Sequence, residues 1–304
     1  MSSQHQAAVV ELSPRRPRRP LVAAVVACRP RQWSKNLLLF AGILFAAQLG
    51  DISRWADAIA AFAAYCAASS AAYLVNDVRD LAQDRAHPRK RLRPLARGEL
   101  SVRTALWLAG ALAAAALAVA AVLGPVSLAL LAGFLGLQAA YSLRLKHVVL
   151  IDVMTIGALF VIRAAAGAAA VHVRISPWLL LCTALLALFL GLAKRRGELV
   201  QVGAKRTPGR PVLEGYSLVL VDQLVAVVAS STVIAYCLYT FTARDSKAMM
   251  LTIPFVIFGV FRYLLLIYRD DLGEEPEQVL LTDRPILVTV GLWALAAALI
   301  LLLT

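Results

Sequence analysis

Apolar residues in this chain fall into blocks long enough to cross a lipid bilayer, and that pattern excludes most folds. Nine such blocks are read at 37–50, 55–76, 104–123, 126–142, 150–171, 177–193, 217–241, 249–268 and 286–304. A hydrocarbon core of about 30 Å needs roughly 20 apolar residues in a helix. The first and sixth blocks are short, which leaves eight or ten crossings open. Across the chain 61% of residues are hydrophobic and the mean hydropathy is +0.74. Lipid cannot satisfy free backbone N–H and C=O groups, so spans rich in Ala, Leu and Val must be helices. The fold class is an all-α integral membrane protein, with a basic tail at 1–19 and a single transmembrane domain over 20–304.

Charge placement orients the bundle. The formal net charge is +13, a value that in a soluble protein suggests nucleic acid. Here the 31 Lys and Arg residues segregate by alternate loops instead. The N-terminal segment and the loops at 78–103, 143–149, 194–216 and 269–285 carry 25 of them. The opposite loops hold only Arg54, Arg174, Arg244 and Lys247, while Arg163 and Arg262 lie within spans. Cytoplasmic loops are the basic ones. The N-terminus is therefore expected in the cytoplasm of a bacterial-type inner membrane, and no nucleic-acid partner is expected. The excess also suits anionic lipid or a phosphorylated substrate.

Near the N-terminus, Arg15-Arg16-Pro17-Arg18-Arg19 followed by Leu21 to Cys28 imitates an export signal. Its apolar run of eight residues is at the short limit for one. A short interfacial helix at 20–29 is the expectation instead. Cys66, Cys182 and Cys237 lie within spans without metal-ligand spacing and read as small packing residues.

Ionisable residues at or within spans are the expensive ones, which makes them the site candidates. The second span ends Tyr73-Leu74-Val75-Asn76-Asp77-Val78-Arg79-Asp80-Leu81-Ala82-Gln83-Asp84. If the helix continues, Asn76, Asp77, Asp80 and Asp84 form an oxygen-rich stripe. Like charges at such spacing destabilise a bare helix. A cation reverses that, and carboxylate and amide oxygens completed by phosphate oxygens are the usual Mg²⁺ set. Pairing with Arg79, Arg85 and Arg89 in a solvated loop is the plainer alternative. His87-Pro88-Arg89-Lys90-Arg91-Leu92-Arg93-Pro94 follows. Positive-inside topology explains most of that run. Lys90 is the first of these bases expected to touch substrate phosphate as well.

Asn76-Asp77-x-x-Asp80-x-x-x-Asp84 at the end of the second span resembles the first aspartate motif of the UbiA-type intramembrane prenyltransferase superfamily. The resemblance implies a bundle of about nine transmembrane helices with cytoplasmic active-site loops, and Mg²⁺ with a diphosphate held at that motif. The superfamily carries a second acidic motif after the sixth span. Here that place reads Ala193-Lys194-Arg195-Arg196-Gly197-Glu198-Leu199, three bases and one acid. A site with one acid cluster and several bases suits substrates with more phosphate than metal can neutralise.

That pattern, over nearly the whole chain, is similar to the decaprenyl-phosphate phosphoribosyltransferase branch. Besides Tyr73 to Asp80, the matching segments begin with Arg29-Pro30-Arg31-Gln32-Trp33-x-Lys35-Asn36 and His87-Pro88 to Arg93-Pro94. They continue with Tyr141-x-x-x-Leu145-Lys146, Arg163 with Ala164 and Gly167, Ala193 to Leu199, and Gly273-Glu274-x-Pro276-Glu277. The resemblance implies transfer of 5-phosphoribose from phosphoribosyl diphosphate to a polyprenyl phosphate, giving a lipid-linked precursor for arabinan or cell-wall type glycans. It implies Asn76, Asp80 and Asp84 as Mg²⁺ ligands and Asp77, Asp80 and Asp84 as catalytic residues. Lys35, Tyr73, Lys90, Tyr141, Lys146, Arg163, Lys194, Arg195 and Glu198 would bind substrate. A homo-oligomer, a trimer by family expectation, is also implied.

One span carries two charges that need partners. Asp152 precedes Arg163 by three turns, too far for a pair on one helix, so each is expected to find its partner elsewhere. A bound phosphate is the reading for Arg163, against an interhelical pair. Lys194 and Glu198 are spaced for an i, i+4 pair. His5, His87, His147 and His172 are read as solvated or structural. Two rivals remain: a UbiA-type enzyme moving a prenyl group from prenyl diphosphate to an aromatic or haem acceptor, and a transporter. No internal repeat favours the transporter. The run of small residues from Gly157 to Ala170 suits packing within the bundle or between subunits.

Overall fold

The computed structural model describes residues 19–45, 50–86, 90–205, 211–242, 246–269, 279 and 282–303. The expected tail up to residue 18, His87 to Arg89 and the segment 273–277 lie outside the described residues. Helix α1 (Pro20–Ala27) starts on a proline, whose missing N–H is harmless in a first turn. It exposes Leu21, Val22 and Val25 while burying Ala23 and Ala27, an arrangement suited to a helix lying along an interface. A 3₁₀ helix, Pro30–Phe40, leads into α2 (Ala41–Phe45). Helix α3 (Ile52–Arg79) follows, its N-terminus capped by Asp51, which accepts from the Ser53 N–H at 2.9 Å.

A short α4 (Leu81–Ala86) continues from α3. Then come α5 (Val102–Val122), α6 (Pro125–Leu143), α7 (Ile151–Ala170) and α8 (Pro177–Lys205). The series ends with α9 (Leu218–Thr242), α10 (Ile253–Arg269) and α11 (Arg284–Leu303). No strand occurs among the described residues. Eight helical stretches there are long and apolar enough to cross a membrane. The molecule is a multi-pass membrane protein.

The sequence suggested nine crossings, and the difference lies at its first block. That stretch is the 3₁₀ segment and α2. Rising about 2.0 Å per residue in 3₁₀ geometry and 1.5 Å in α, it extends roughly 30 Å with few residues. It runs antiparallel to α3. At one end Arg29 pairs with Asp77, and towards the other Phe40 packs on Phe62 and Trp55. It therefore passes through the depth of the bundle without being a long apolar helix.

Two apolar cores hold the helices. One joins the 3₁₀ segment, α3, α5, α6 and α7 through Leu39, Ala68, Ala116, Phe134 and Leu159. The other joins α8, α9 and α10 through Phe189, Val221, Val225 and Tyr263. Between the first crossing and α7 the backbones touch. A Cβ on Gly167 would stand 2.1 Å from the Leu39 carbonyl oxygen, and one on Gly42 would stand 2.6 Å from Ala168 N. Part of the small-residue run is thus used inside the bundle, as backbone-to-backbone contact between helices in lipid requires.

Candidate active site at the acidic end of α3

The Asn76–Asp84 stretch does not form one stripe. Helix α3 ends at Arg79 and Asp80 takes φ −89°, ψ 10°. The backbone bonds Asp80 N to Asn76 O (2.9 Å) and Asp84 N to Asp80 O (2.8 Å) bridge the break. The kink divides the acids between two environments. Asn76 Nδ2 donates to Asp80 Oδ2 at 3.1 Å, and Lys146 Nζ lies 3.4 Å from Asp80 Oδ1. Asp77 and Asp84 turn the other way. Their side chains are 2% and 3% exposed and share the Arg93 guanidinium, at 3.1 and 2.6 Å.

Arg29 completes the buried layer by pairing with Asp77 while stacking over Tyr73, 4.8 Å from the ring centroid. Its backbone is left-handed at φ +55°, a conformation few side chains adopt. That turn, between α1 and the 3₁₀ helix, brings its guanidinium to Asp77. Arg79 ties α3 to the end of α6 by donating to the Ser142 and Leu143 carbonyls. Lys146 reaches Asp80 from the single 3₁₀ turn Leu145–His147.

These placements test whether the residues suit Mg²⁺. Among the described residues no three His, Cys, Asp or Glu side chains converge on one cation position. Asp80 and the Asn76 amide offer oxygens at a partly exposed position, where Asp80 takes the Asn76 amide N–H on one oxygen and a long contact from Lys146 on the other. Mg²⁺ is commonly held through one or two carboxylates and completed by substrate phosphates. The donor set fits that arrangement. Asp84, expected in the metal shell, is instead held by Arg93 beside Asp77.

A second charged cluster joins the start of α7 to the end of α8. Asp152 is fully buried and takes Arg195 Nε on Oδ2 at 2.7 Å. The other side of Arg195 pairs with Glu198. Tyr216 donates to Asp152 Oδ1 at 2.7 Å and accepts from Leu150 N at 2.8 Å. Burial, and then the Asp152 carboxylate beside it, push the Tyr216 hydroxyl above the ordinary tyrosine range, so it stays a donor. Arg196 binds Asp222 at 2.9 Å and the Ile267 carbonyl at 2.7 Å. Arg195 and Arg196, bases after the sixth block, are therefore engaged by acids of the protein itself.

Arg163 has no carboxylate partner among the described residues. Its Nε donates to Asn36 Oδ1 at 2.8 Å and its Nη1 to the Leu159 carbonyl at 3.0 Å. Lys35 is half-buried on the same 3₁₀ segment as Asn36. Lys90, Tyr141 and Lys194 are half-buried as well, and Tyr141 lies within electrostatic range of Arg195. Sequence reasoning did not single out Arg29, Arg93 or Tyr216 as site residues. The first two stood in quoted basic segments, and Tyr216 carries no local signal.

Comparison with known proteins extends the geometry. The model of the UbiA prenyltransferase family matches residues 36–282. The chain belongs to this family. A decaprenyl-phosphate phosphoribosyltransferase of Mycolicibacterium smegmatis is 35% identical over 294 residues, covering 91% of this chain and 92% of that relative. One of Corynebacterium glutamicum is 32% identical over 306 residues, covering 96% and 91%. Among solved structures, a UbiA homolog from Archaeoglobus fulgidus bound to GPP and Mg²⁺ superposes with a TM-score of 0.70. It is 19% identical and covers 93% of this chain and 100% of that one. At that identity the likeness shows the UbiA fold.

Proposed function

We propose that this chain transfers 5-phosphoribose from phosphoribosyl diphosphate to a polyprenyl phosphate such as decaprenyl phosphate, in a Mg²⁺-dependent reaction that releases diphosphate. The observation that carries this reading is the engagement of Asp152 and Glu198 by Arg195. It leaves one open oxygen cradle, Asn76 and Asp80, where a prenyl diphosphate enzyme of this fold would be expected to use two acidic motifs. Relatives carrying the phosphoribosyltransferase name span nine-tenths of the chain, which supports the same choice.

Bound at Asn76 and Asp80, Mg²⁺ would neutralise the diphosphate and so stabilise it as a leaving group. Lys146, beside Asp80, would add a second positive charge against the same group. Arg29 and Arg93 keep Asp77 and Asp84 neutralised, so the buried carboxylates do not repel the incoming anion. They act as positioning residues behind the cradle. Lys35, Tyr73, Lys90, Tyr141 and Lys194 are assigned to the remaining phosphate and sugar contacts.

In the reaction the ribose C1–oxygen bond to diphosphate breaks and the diphosphate leaves with the electron pair. A phosphate oxygen of the lipid forms the new bond to C1, through an oxocarbenium-like state as in other glycosyl transfers. A phosphate monoester has its second pKa at about 6, so the nucleophile is already ionised at neutral pH and requires no base. The basic loops support a site at the cytoplasmic face of an inner membrane. A homo-oligomer belongs to the same proposal.

Membranes containing the protein are incubated with labelled phosphoribosyl diphosphate, then separately with labelled prenyl diphosphate and aromatic acceptors. Label should enter the lipid extract from the first and not be transferred from the second. The reverse pattern would replace this reading with prenyl transfer.

A further inference from the structure

Helix α1 has no polar side. It reads Pro-Leu-Val-Ala-Ala-Val-Val-Ala, and its buried residues are Ala23 and Ala27. Ala27 joins Leu74 of α3 and Ala105 and Ala109 of α5 in a small core, with Ala24 and Cys28 packed against it. Leu21, Val22, Val25 and Val26 face outward, Leu21 at 83% exposed. A helix apolar all round needs nonpolar surroundings, yet eight residues rise only about 12 Å and cannot cross a bilayer. Charge flanks it at both ends. Arg19 before it and Arg31 just after it are exposed, and Arg15, Arg16 and Arg18 precede Arg19 in sequence. Both ends therefore belong at the headgroup level, with the apolar middle sunk among the upper acyl chains. Trp107, 72% exposed on α5 between Ala105 and Ala109, marks the same level, because tryptophans gather at the membrane–water boundary.

The far end of α1 runs straight into the candidate site. Ser70 Oγ of α3 lies 3.0 Å from the Cys28 carbonyl oxygen and accepts from Trp33 Nε1 at 3.1 Å. The Gln32 N–H bonds back to the Arg29 carbonyl at 2.9 Å. Between these anchors Arg29 takes the left-handed backbone, φ +55° and ψ +61°. That conformation is costly for a residue with a side chain and persists only where its surroundings impose it. It is also what carries the guanidinium to Asp77 and over the Tyr73 ring. Helix α1 stands on one side of this turn and the 3₁₀ helix on the other. How α1 is seated thus bears on how firmly Arg29 neutralises Asp77, next to Asn76.

We propose that α1 is a membrane-surface lever: anionic phospholipid headgroups hold its arginine-flanked ends, and the seated helix locks Arg29 against Asp77, so that the Asn76–Asp80 cradle binds diphosphate best in an acidic bilayer. The partner is the acidic lipid leaflet itself. A protein partner would find no polar group on the outer face of α1, whereas basic side chains beside apolar surface suit lipid phosphate. The sign of the effect is diagnostic. An acidic membrane surface by itself repels diphosphate, while a firmer Arg29–Asp77 pair removes a negative charge beside the cradle. The cradle comes from the proposed function; the seating of the helix does not depend on it.

The purified full-length protein is placed in nanodiscs of phosphatidylcholine alone, or of phosphatidylcholine with phosphatidylglycerol, without polyprenyl phosphate. Two quantities are read: binding of inorganic diphosphate in Mg²⁺, and hydrogen exchange over residues 20–32 with no ligand present. Phosphatidylglycerol should slow that exchange and tighten diphosphate binding about tenfold, the scale of one or two arginines near anionic lipid. Arg19→Gln with Arg31→Gln should remove both effects while leaving affinity in phosphatidylcholine within about twofold of the parent, which also reports a folded protein. Arg19→Lys with Arg31→Lys keeps the charge and should keep both effects. Arg29→Gln should weaken binding in both discs and erase the difference between them. Diphosphate binding that is equal or weaker in phosphatidylglycerol would overturn the lever, as would a gain that survives the glutamine pair or a loss from that pair equal in both discs. Absence of diphosphate binding in every disc would remove the cradle, and unchanged exchange would then remove the lever as well. Failure of the transfer assay alone would remove the functional reading and leave this result standing.

Discussion

At the scale of single residues, the arginines divide by what they neutralise. Arg93 lies between Asp77 and Asp84, and Arg195 between Asp152 and Glu198. The resemblance of the Ala193–Leu199 segment implied Arg195 and Glu198 as substrate contacts. In three dimensions Asp152, 43 residues earlier, makes it a balanced cluster. Removing one partner of a buried pair leaves an uncompensated charge, at a cost of about 3–5 kcal/mol. Arg195→Gln is expected to lower thermal stability in detergent by that order, and adding Asp152→Asn to recover part of it. An Arg195→Gln protein of unchanged stability with weakened substrate binding would return Arg195 to the substrate contacts.

Among the elements, two contacts decide how the site is held. The first crossing lies against α7 with no room for a methyl group, since a Cβ on Gly167 would meet main-chain atoms of Leu39. Backbone cannot swing aside as a side-chain tip does. Gly167→Ala should therefore separate the 3₁₀ segment from α7 and lower the thermal midpoint by several degrees, read by unfolding in detergent. The connection 144–150 is held at both ends. Lys146 meets Asp80 near its start, and Leu150, at φ +67°, donates its N–H to Tyr216 at its end. Tyr216→Phe leaves that donor and Asp152 each short of a partner, a loss of about 1–3 kcal/mol per buried group. The expected kinetic result is a raised KM for the diphosphate substrate with kcat nearly unchanged, because Lys146 is displaced while the reacting groups are intact. A parallel fall in kcat with unchanged KM would place Tyr216 in the chemistry itself.

For the whole molecule, the spans and the segregation of basic loops were legible because hydropathy and charge are properties of local sequence. The acid motif was legible for the same reason. Long-range pairing was not: nothing local says that Arg29 reaches Asp77, that Arg93 ties Asp77 to Asp84, or that α3 breaks at Asp80. The first crossing was misread in form because 3₁₀ geometry covers the membrane depth with fewer residues than an α-helix. Counted as a ninth crossing, it puts the two chain ends on opposite sides. Tags at residues 1 and 304, probed in sealed vesicles, should show the N-terminal tag on the cytoplasmic side and the C-terminal tag on the other. Both tags on one side would reduce the crossings to eight.

The central claim is phosphoribose transfer at a single Asn76–Asp80 cradle. Its most direct test is reconstitution of the purified protein with polyprenyl phosphate, Mg²⁺ and phosphoribosyl diphosphate labelled in the sugar. Label in the organic phase should equal the diphosphate released, vanish with a chelator, and fall on the order of 100-fold or more in Asp80→Asn, the scale of a lost electrostatic stabiliser. Absence of lipid label across several polyprenyl chain lengths, or label that persists undiminished in Asp80→Asn, would contradict it.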